Sequence, residues 1–456
     1  MSLLLTRSSL CDPIPTLRIS LAAAFKPLSL HKMTIHNTAS MMPKPSPRIA
    51  ILGAGPSGLL LSRLLSLSSI PHTLYDCLPS PATASKTTSG TLDLHENSGL
   101  LALERAGLLE AFRAKARYDV PQRFVNSEGE VKLVIGEGEV SQRPEVDRVD
   151  LQGLLLGDDR EGRVEWGRKV RDVRREDGKG EVEGGVVLEF EDGTEEGPFE
   201  LVVGADGAWS KARSFVSFLL ALDLIISELL TAASQLTSVK PSYTGRYALT
   251  STLSPSSPYF ATATHLIGPG NSIAMGHGRI ISGMKLGSGA YYVWAGVPCP
   301  SEADLPDFAT LVKDPVKLKK QLIEQHHQGW SEDLVGLLKE ADGEWYAWPF
   351  YAMGEEGVKW EGRRGVTLVG DAAHLIPPNG EGVNSALYDS MLLAEQIAKH
   401  GIDHLDEAVV AYEAVLEPRA KELIADTGII ELMYAEDAPN GFIKLFNDMM
   451  GGEQKE

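Results

Sequence analysis

The sequence predicts an α/β fold: a Rossmann-like domain built on a parallel sheet, a second domain with a mainly antiparallel sheet, and a helical C-terminal segment. Three segments carry the first part of that prediction, each an apolar strand running into a glycine turn or ending in an acid. Arg48-Ile-Ala-Ile-Leu52 leads into Gly53-Ala-Gly55-Pro-Ser-Gly58 and the apolar stretch Leu59 to Leu67. Phe199-Glu-Leu-Val-Val-Gly-Ala-Asp206-Gly207 and Gly365-Val-Thr-Leu-Val-Gly370-Asp371 repeat the layout further along. Short β-branched runs of this kind read as strands buried on both faces, and open parallel sheets bind ligands at the carboxyl ends of such strands.

Taken in order, the first turn has the spacing GxGxxG between strand and helix. Its glycines serve a tight turn, close approach of backbone to a pyrophosphate, and close packing of helix on strand. His72-Thr-Leu-Tyr-Asp76 then places a carboxylate about 20 residues on, where the ribose hydroxyls of an adenosine are expected. The motif alone does not separate FAD from NAD. The strand-end acids Asp206 and Asp371 add two further sites for one extended ligand, and no second strand-GxGxxG-helix unit follows; Gly276-His-Gly278 lacks the third glycine. After Asp371 come Gly380 and Gly382, then Val383, Asn384, Leu387, Met391, Ala394 and Ile397, most of them at helical spacing. That helix would aim free N–H groups and a partial positive charge at the ligand held by Asp371.

With these motifs in place, the chain resembles the single-component FAD-dependent monooxygenases of the aromatic-hydroxylase type, a p-hydroxybenzoate-hydroxylase-like fold. Within them it is most similar to tetracycline-inactivating flavin monooxygenases and their fungal-type relatives, through Gly90-Thr-Leu-Asp93-Leu-His95 and Asp147-Arg148-Val-Asp-Leu-Gln. The resemblance runs from about residue 47 to the C-terminus, and it implies that the C-terminal helix bridges the two domains. It implies non-covalent FAD held by Asp93, Arg148 and Asp371 in addition to the glycine turn, Asp76, Asp206, Gly207, Gly370, Gly382, Val383 and Asn384. It also implies NADPH as co-substrate, with Lys86 where relatives place a basic residue for it, and O2. In the implied cycle NADPH reduces the flavin, and a flavin hydroperoxide passes a hydroxyl to a phenolic, enolic or polyketide-like small molecule; no side-chain nucleophile is needed. Asp76-Cys77 departs from a Glu-Arg pair, and Pro378-Asn379-Gly380 is one residue shorter than in some relatives.

Substrate contacts suggested by approximate alignment are Thr250, His277 and Met284 from the second domain, with Pro378 and Asn379 from the other side. His95 and His374 follow Asp93 and Asp371 and read more naturally as buried, satisfied histidines than as bases. Trp345-Tyr-Ala-Trp348-Pro349 is a poor match to the paired-tryptophan motif of flavin halogenases and reads as an aromatic wall. A flavin-binding protein without turnover is the alternative from another functional class.

Motifs, composition and the resemblance together give the expected domain plan. Residues 47–216 and 346–404 form a discontinuous FAD-binding domain, 239–345 the substrate domain and 405–456 a helical tail. Asp158 to Gly197 reads as a solvated hairpin feeding the Asp206 strand. Residues 1–46, with one acid and five Lys or Arg, are expected to be a disordered extension, a transit peptide being the lesser reading. Residues 217–238 fit neither domain and read as an insertion, such as a translated intron; Asp223 and Glu228 argue against membrane insertion. A formal charge of −19 argues against a nucleic-acid partner. Cys11, Cys77 and Cys299 are too scattered for a metal site or a disulfide framework. A cytoplasmic monomer is expected.

Overall fold

The computed structural model describes residues 48–83, 90–157, 164–176, 184–215, 239–358, 365–426 and 428–452. The expectations for residues 1–46, Lys86 and 217–238 lie outside them.

Five parallel strands form the first sheet, in the order Val366–Leu368, Leu201–Gly204, Ile49–Leu52, His72–Asp76, Val164–Trp166. Every residue of Ile49–Leu52 and Leu201–Gly204 is buried, as their unbroken apolar character requires of central strands covered on both faces. Helix Pro56–Leu67 packs on the sheet through Leu59, Leu60, Leu61, Leu64 and Leu65, with proline at its start, where no intrahelical N–H bond is lost. Helix Gly382–His400 lies against it, and Ser390 donates its hydroxyl to the Ser57 carbonyl. Asp158 to Gly197 contributes more than a hairpin: Val170–Arg175, Val186–Phe190 and Glu195–Phe199 form a three-stranded antiparallel sheet, and Val164–Trp166 edges the parallel one.

The second sheet has seven strands, in the order Tyr346–Ala352, Ser242–Leu253, Tyr291–Pro298, Arg279–Lys285, Asn271–Gly276, Gln122–Asn126, Val131–Ile135. All its pairings are antiparallel except that between Asn271–Gly276 and Gln122–Asn126. This corrects the expected boundaries, because Gln122–Ile135 belongs to the second sheet although the chain on both sides of it serves the first domain. Strand Tyr346–Ala352 belongs there too. Helix Leu405–Ala425 places Leu405, Ala408, Val409, Tyr412, Leu416 and Ala420 in the core of the parallel-sheet domain. The segments after it, Gly428–Met433 and Asn440–Gly452, reach the second sheet, where Phe442 packs on Phe124 and Arg246 pairs with Glu431.

The faces of the second sheet follow from the two-residue period of strands. One face, carrying Leu249, Ile281, Val293, Ala295 and Val297, is covered by helices Phe260–Ile267, Pro315–His326 and Glu332–Glu340. The other carries Thr250, Ser282, Met284, Tyr292 and Trp294, which are cross-strand partners or lie two residues apart.

Candidate active site

At the first turn Gly53 has φ 100°, and a Cβ there would stand 2.5 Å from the Ala205 carbonyl oxygen. A Cβ on Gly58 would overlap the Gly53 carbonyl, so this glycine lets helix and turn close. Gly55 differs: among the described residues nothing lies within 4 Å of the Cβ position. Its open side and the start of helix Pro56–Leu67, which has no side-chain cap, leave backbone N–H groups presented to a ligand anion. Asp76 is fixed beside them, Oδ2 accepting from the Ala54 N–H at 2.6 Å and Oδ1 from the Leu78 N–H at 2.7 Å. Each oxygen keeps a lone pair for a ribose hydroxyl.

Asp206 Oδ2 accepts from the Lys211 N–H at 2.8 Å, whereas Oδ1 is buried and has no hydrogen-bond partner among the described residues, although the Ser210 hydroxyl lies near enough to the carboxylate to favour its charged form. Burial raises its pKa. A buried carboxylate oxygen with no donor is costly unless a ligand supplies one.

Arg148 and Asp371 face each other electrostatically across the cleft. Solvent reaches both side chains, yet desolvation is the leading influence on each, lowering the pKa of the arginine and raising that of the aspartate. Both groups are thus closely surrounded by protein while their side chains stay open to solvent. Arg148 is set by the first turn of helix Arg148–Leu156, its N–H donating to the Gly90 carbonyl at 3.0 Å. Asp371 begins a single helical turn after Gly370, whose φ is 59°.

That turn is braced from behind. Buried Arg213 donates to the carbonyls of Ala372, Gly357 and Ala373. Buried Asp389 accepts from the Gly370 N–H at 3.0 Å and from Arg419 at 3.1 Å, and lies 2.6 Å from His374 Nε2. His374 is therefore a buried histidine, but its partner is the Asp389 carboxylate rather than a backbone group, and its Nδ1 finds no hydrogen bond among the described residues.

Gly382, Val383 and Asn384 form the first turn of helix Gly382–His400, with no side-chain cap, so their N–H groups remain available to the cleft. The Asn384 side chain is not: Oδ1 accepts from the His95 N–H at 2.9 Å, and Nδ2 donates to the carbonyls of Asp93 and Gly380. Its carboxamide ties the Asp93 strand to the helix start, and only its backbone can serve a cofactor. Asn379 likewise spends its Oδ1 on the Glu381 N–H at 2.9 Å, while Pro378 is exposed beside it.

On the second sheet, Met284 reaches the cleft, its sulfur 3.7 Å from the Thr91 hydroxyl. Thr250 is buried and accepts from the Trp348 indole N–H at 3.0 Å, so it supports the half-exposed Trp348 rather than lining the space itself. The structure does not bring His277 to this group. It occupies the tip of the hairpin at the opposite end of strand Arg279–Lys285 from Met284, roughly 20 Å away at the usual strand rise. There it is half exposed, has φ 52° and pairs with Glu436.

Residues missed from the sequence include Tyr292, whose ring lies against Gly90 and influences Arg148. On the same face Trp294 and Phe350 stack at 6.1 Å and 14°, and Trp294 packs with Tyr434 beside Ile280. The alternation in Tyr291–Pro298 places Tyr292 and Trp294 on one face, but nothing local says which face meets the cleft.

The donor set fits FAD: backbone N–H groups at an open glycine turn, a strand-end acid for ribose, an orphaned buried carboxylate oxygen at Asp206, and an Arg148–Asp371 wall beside an uncapped helix start. Fold and site together define a single-component FAD-dependent monooxygenase of the aromatic-hydroxylase type. The chain belongs to the FAD-binding-domain family, which matches residues 47–228 and 359–427. It is 30% identical over 421 residues to monooxygenase penA of Penicillium thymicola, covering 82% of this chain and 92% of that one. Among solved structures it is similar to HpxO of Klebsiella pneumoniae complexed with FAD and uric acid, with TM-score 0.65, 21% identity and coverage of 90% and 93% of the two chains. It is also similar to tetracycline destructase Tet(55), with TM-score 0.62, 17% identity and coverage of 89% and 95%.

Proposed function

We propose that the protein hydroxylates a planar, electron-rich phenolic or enolic small molecule, polyketide-like compounds included, with NADPH as reductant: substrate, O2, NADPH and a proton give hydroxylated substrate, water and NADP+. Bound FAD supplies the oxygen and hydride chemistry, and the chain supplies position and electrostatics. The observation carrying the substrate class is the aromatic face of the second sheet. Tyr292 meets the cleft at Gly90, Trp294 lies two residues further along the same face, Phe350 stacks on it, and the half-exposed Trp348 adjoins Thr250. Such a surface favours a flat π system placed beside the cofactor.

In this reading Arg148 and Asp371 fix the cofactor's orientation at the domain junction. The start of helix Gly382–His400 favours negative charge at the ring end, a preorganised electrostatic contribution. The loop with Pro378 lies where cofactor and substrate meet. The test is NADPH oxidation and oxygen uptake by the flavin-loaded protein across phenolic and polyketide panels. Stimulated turnover with a product one oxygen atom heavier supports the reading. Flavin binding without stimulation by any compound favours a binding protein without turnover.

A further inference from the structure

The histidine of Gly90-Thr-Leu-Asp93-Leu-His95 does more than fill space. We propose that His95 is a positioning residue that cross-links two walls of the flavin cleft, the Asp93 strand and the loop entering helix Gly382–His400, and thereby sets the affinity for FAD. His95 Nε2 lies 3.0 Å from Asp93 Oδ2, and Nδ1 lies 3.4 Å from Glu381 Oε2. A neutral imidazole has one N–H and can serve one carboxylate; only the imidazolium serves both. The backbone follows the same line, since the His95 N–H donates to Asn384 Oδ1 and Asn384 Nδ2 donates to the Asp93 carbonyl. Glu381 stands immediately before the helix turn whose free N–H groups face the cleft. The clamp thus fixes where that helix start aims.

The charged groups around the ring are Asp93 on its own segment, Glu381 from the helix entry, Arg143 acting on Glu381, and Glu145 acting on Asp93 from the neighbouring strand Glu145–Asp147. Hydrogen bonds to Asp93 and Glu381 push the His95 pKa up to about 9 from its ordinary 6.5. Because the folded value is the raised one, the clamp is fully present below pH 6.5 and is lost as pH rises through 9.

The test is the dissociation constant for FAD, read by flavin fluorescence quenching on the full chain from pH 6.5 to 10. Affinity of the unmodified protein should hold to about pH 8 and then fall about tenfold, the effect of one partly exposed ion-pair clamp. His95→Gln, which keeps one donor and no charge, should bind FAD about tenfold more weakly at pH 7 with a flatter profile. Glu381→Gln should weaken binding less and move the midpoint to lower pH. Ionisation of the flavin imide is common to all three proteins and cancels in the comparison. Thermal melts of the FAD-free proteins separate binding from folding. If His95→Gln matches the unmodified protein in both affinity and pH profile, or melts early yet binds FAD normally, the proposal is overturned.

Discussion

Replacing Gly55 with alanine separates the stability of the fold from its grip on the cofactor. Gly55 caps helix Pro56–Leu67 with φ −74° and ψ −178°, extended backbone that any residue adopts. Among the described residues nothing stands within 4 Å of its missing Cβ. Gly55→Ala should therefore leave the FAD-free protein as stable as before, or stabilise it by about 0.4–1 kcal/mol through a less flexible unfolded chain. The methyl group occupies the side of the turn where a pyrophosphate would meet the N–H groups at the helix start. Hydrogen bonds to charged groups are worth about 1.5–3 kcal/mol each. Losing one should weaken FAD binding by about 10- to 150-fold. Gly58→Ala is the control, since its methyl collides with the Gly53 carbonyl within the protein itself; it should cost about 1–3 kcal/mol of stability as well as affinity. Thermal melts of the FAD-free proteins and FAD titrations followed by fluorescence measure both quantities. Unchanged FAD affinity in Gly55→Ala would refute the assignment of this turn to the pyrophosphate.

Three other substitutions probe separate parts of the site. Asp206→Ala removes the orphaned Oδ1 and should weaken FAD binding by about tenfold while lowering the melting point only slightly, measured by the same titration and melt. Arg213→Met strands three buried carbonyls behind the Asp371 turn and should destabilise the protein by about 3–5 kcal/mol, visible as a lower unfolding midpoint in urea. Trp348→Phe keeps the aromatic wall but deletes the N–H donated to buried Thr250. It should cost about 1–3 kcal/mol of stability by leaving that hydroxyl unpartnered, and should raise KM more than it lowers kcat in substrate-stimulated NADPH oxidation.

The parts of the site legible in the sequence are those whose chemistry is local. A strand, a turn and an acid sit within a few residues at Gly53–Gly58, Asp206–Gly207 and Gly370–Asp371, so the pattern that builds each corner also shows it. Partners distant in sequence left no such mark. Strand Gln122–Asn126 reads like any first-domain strand, and only its pairing with Asn271–Gly276 assigns it to the second sheet. Helix Leu405–Ala425 has ordinary helical spacing, which shows an apolar stripe but not the sheet it covers. His277 looked suited to a substrate contact because strand order alone does not say which end of a hairpin faces the cleft. Asn384 sits at the helix start as the motif suggests, yet its carboxamide is spent on Asp93 and His95, nearly 300 positions away, through bonds with |i−j| of 291 and 289.

The excursion of Gln122–Ile135 into the second sheet has a consequence for taking the molecule apart. The chain leaves the parallel-sheet domain, lays two strands along the far edge of the other sheet, returns to build the Arg148 wall, and crosses again at Ser242. No single cut yields two self-sufficient pieces, because a fragment ending before Ser242 carries off two strands that its complement needs. Fragments divided there should recover FAD binding only when mixed, and a grafted substrate domain must bring both of its separate chain segments.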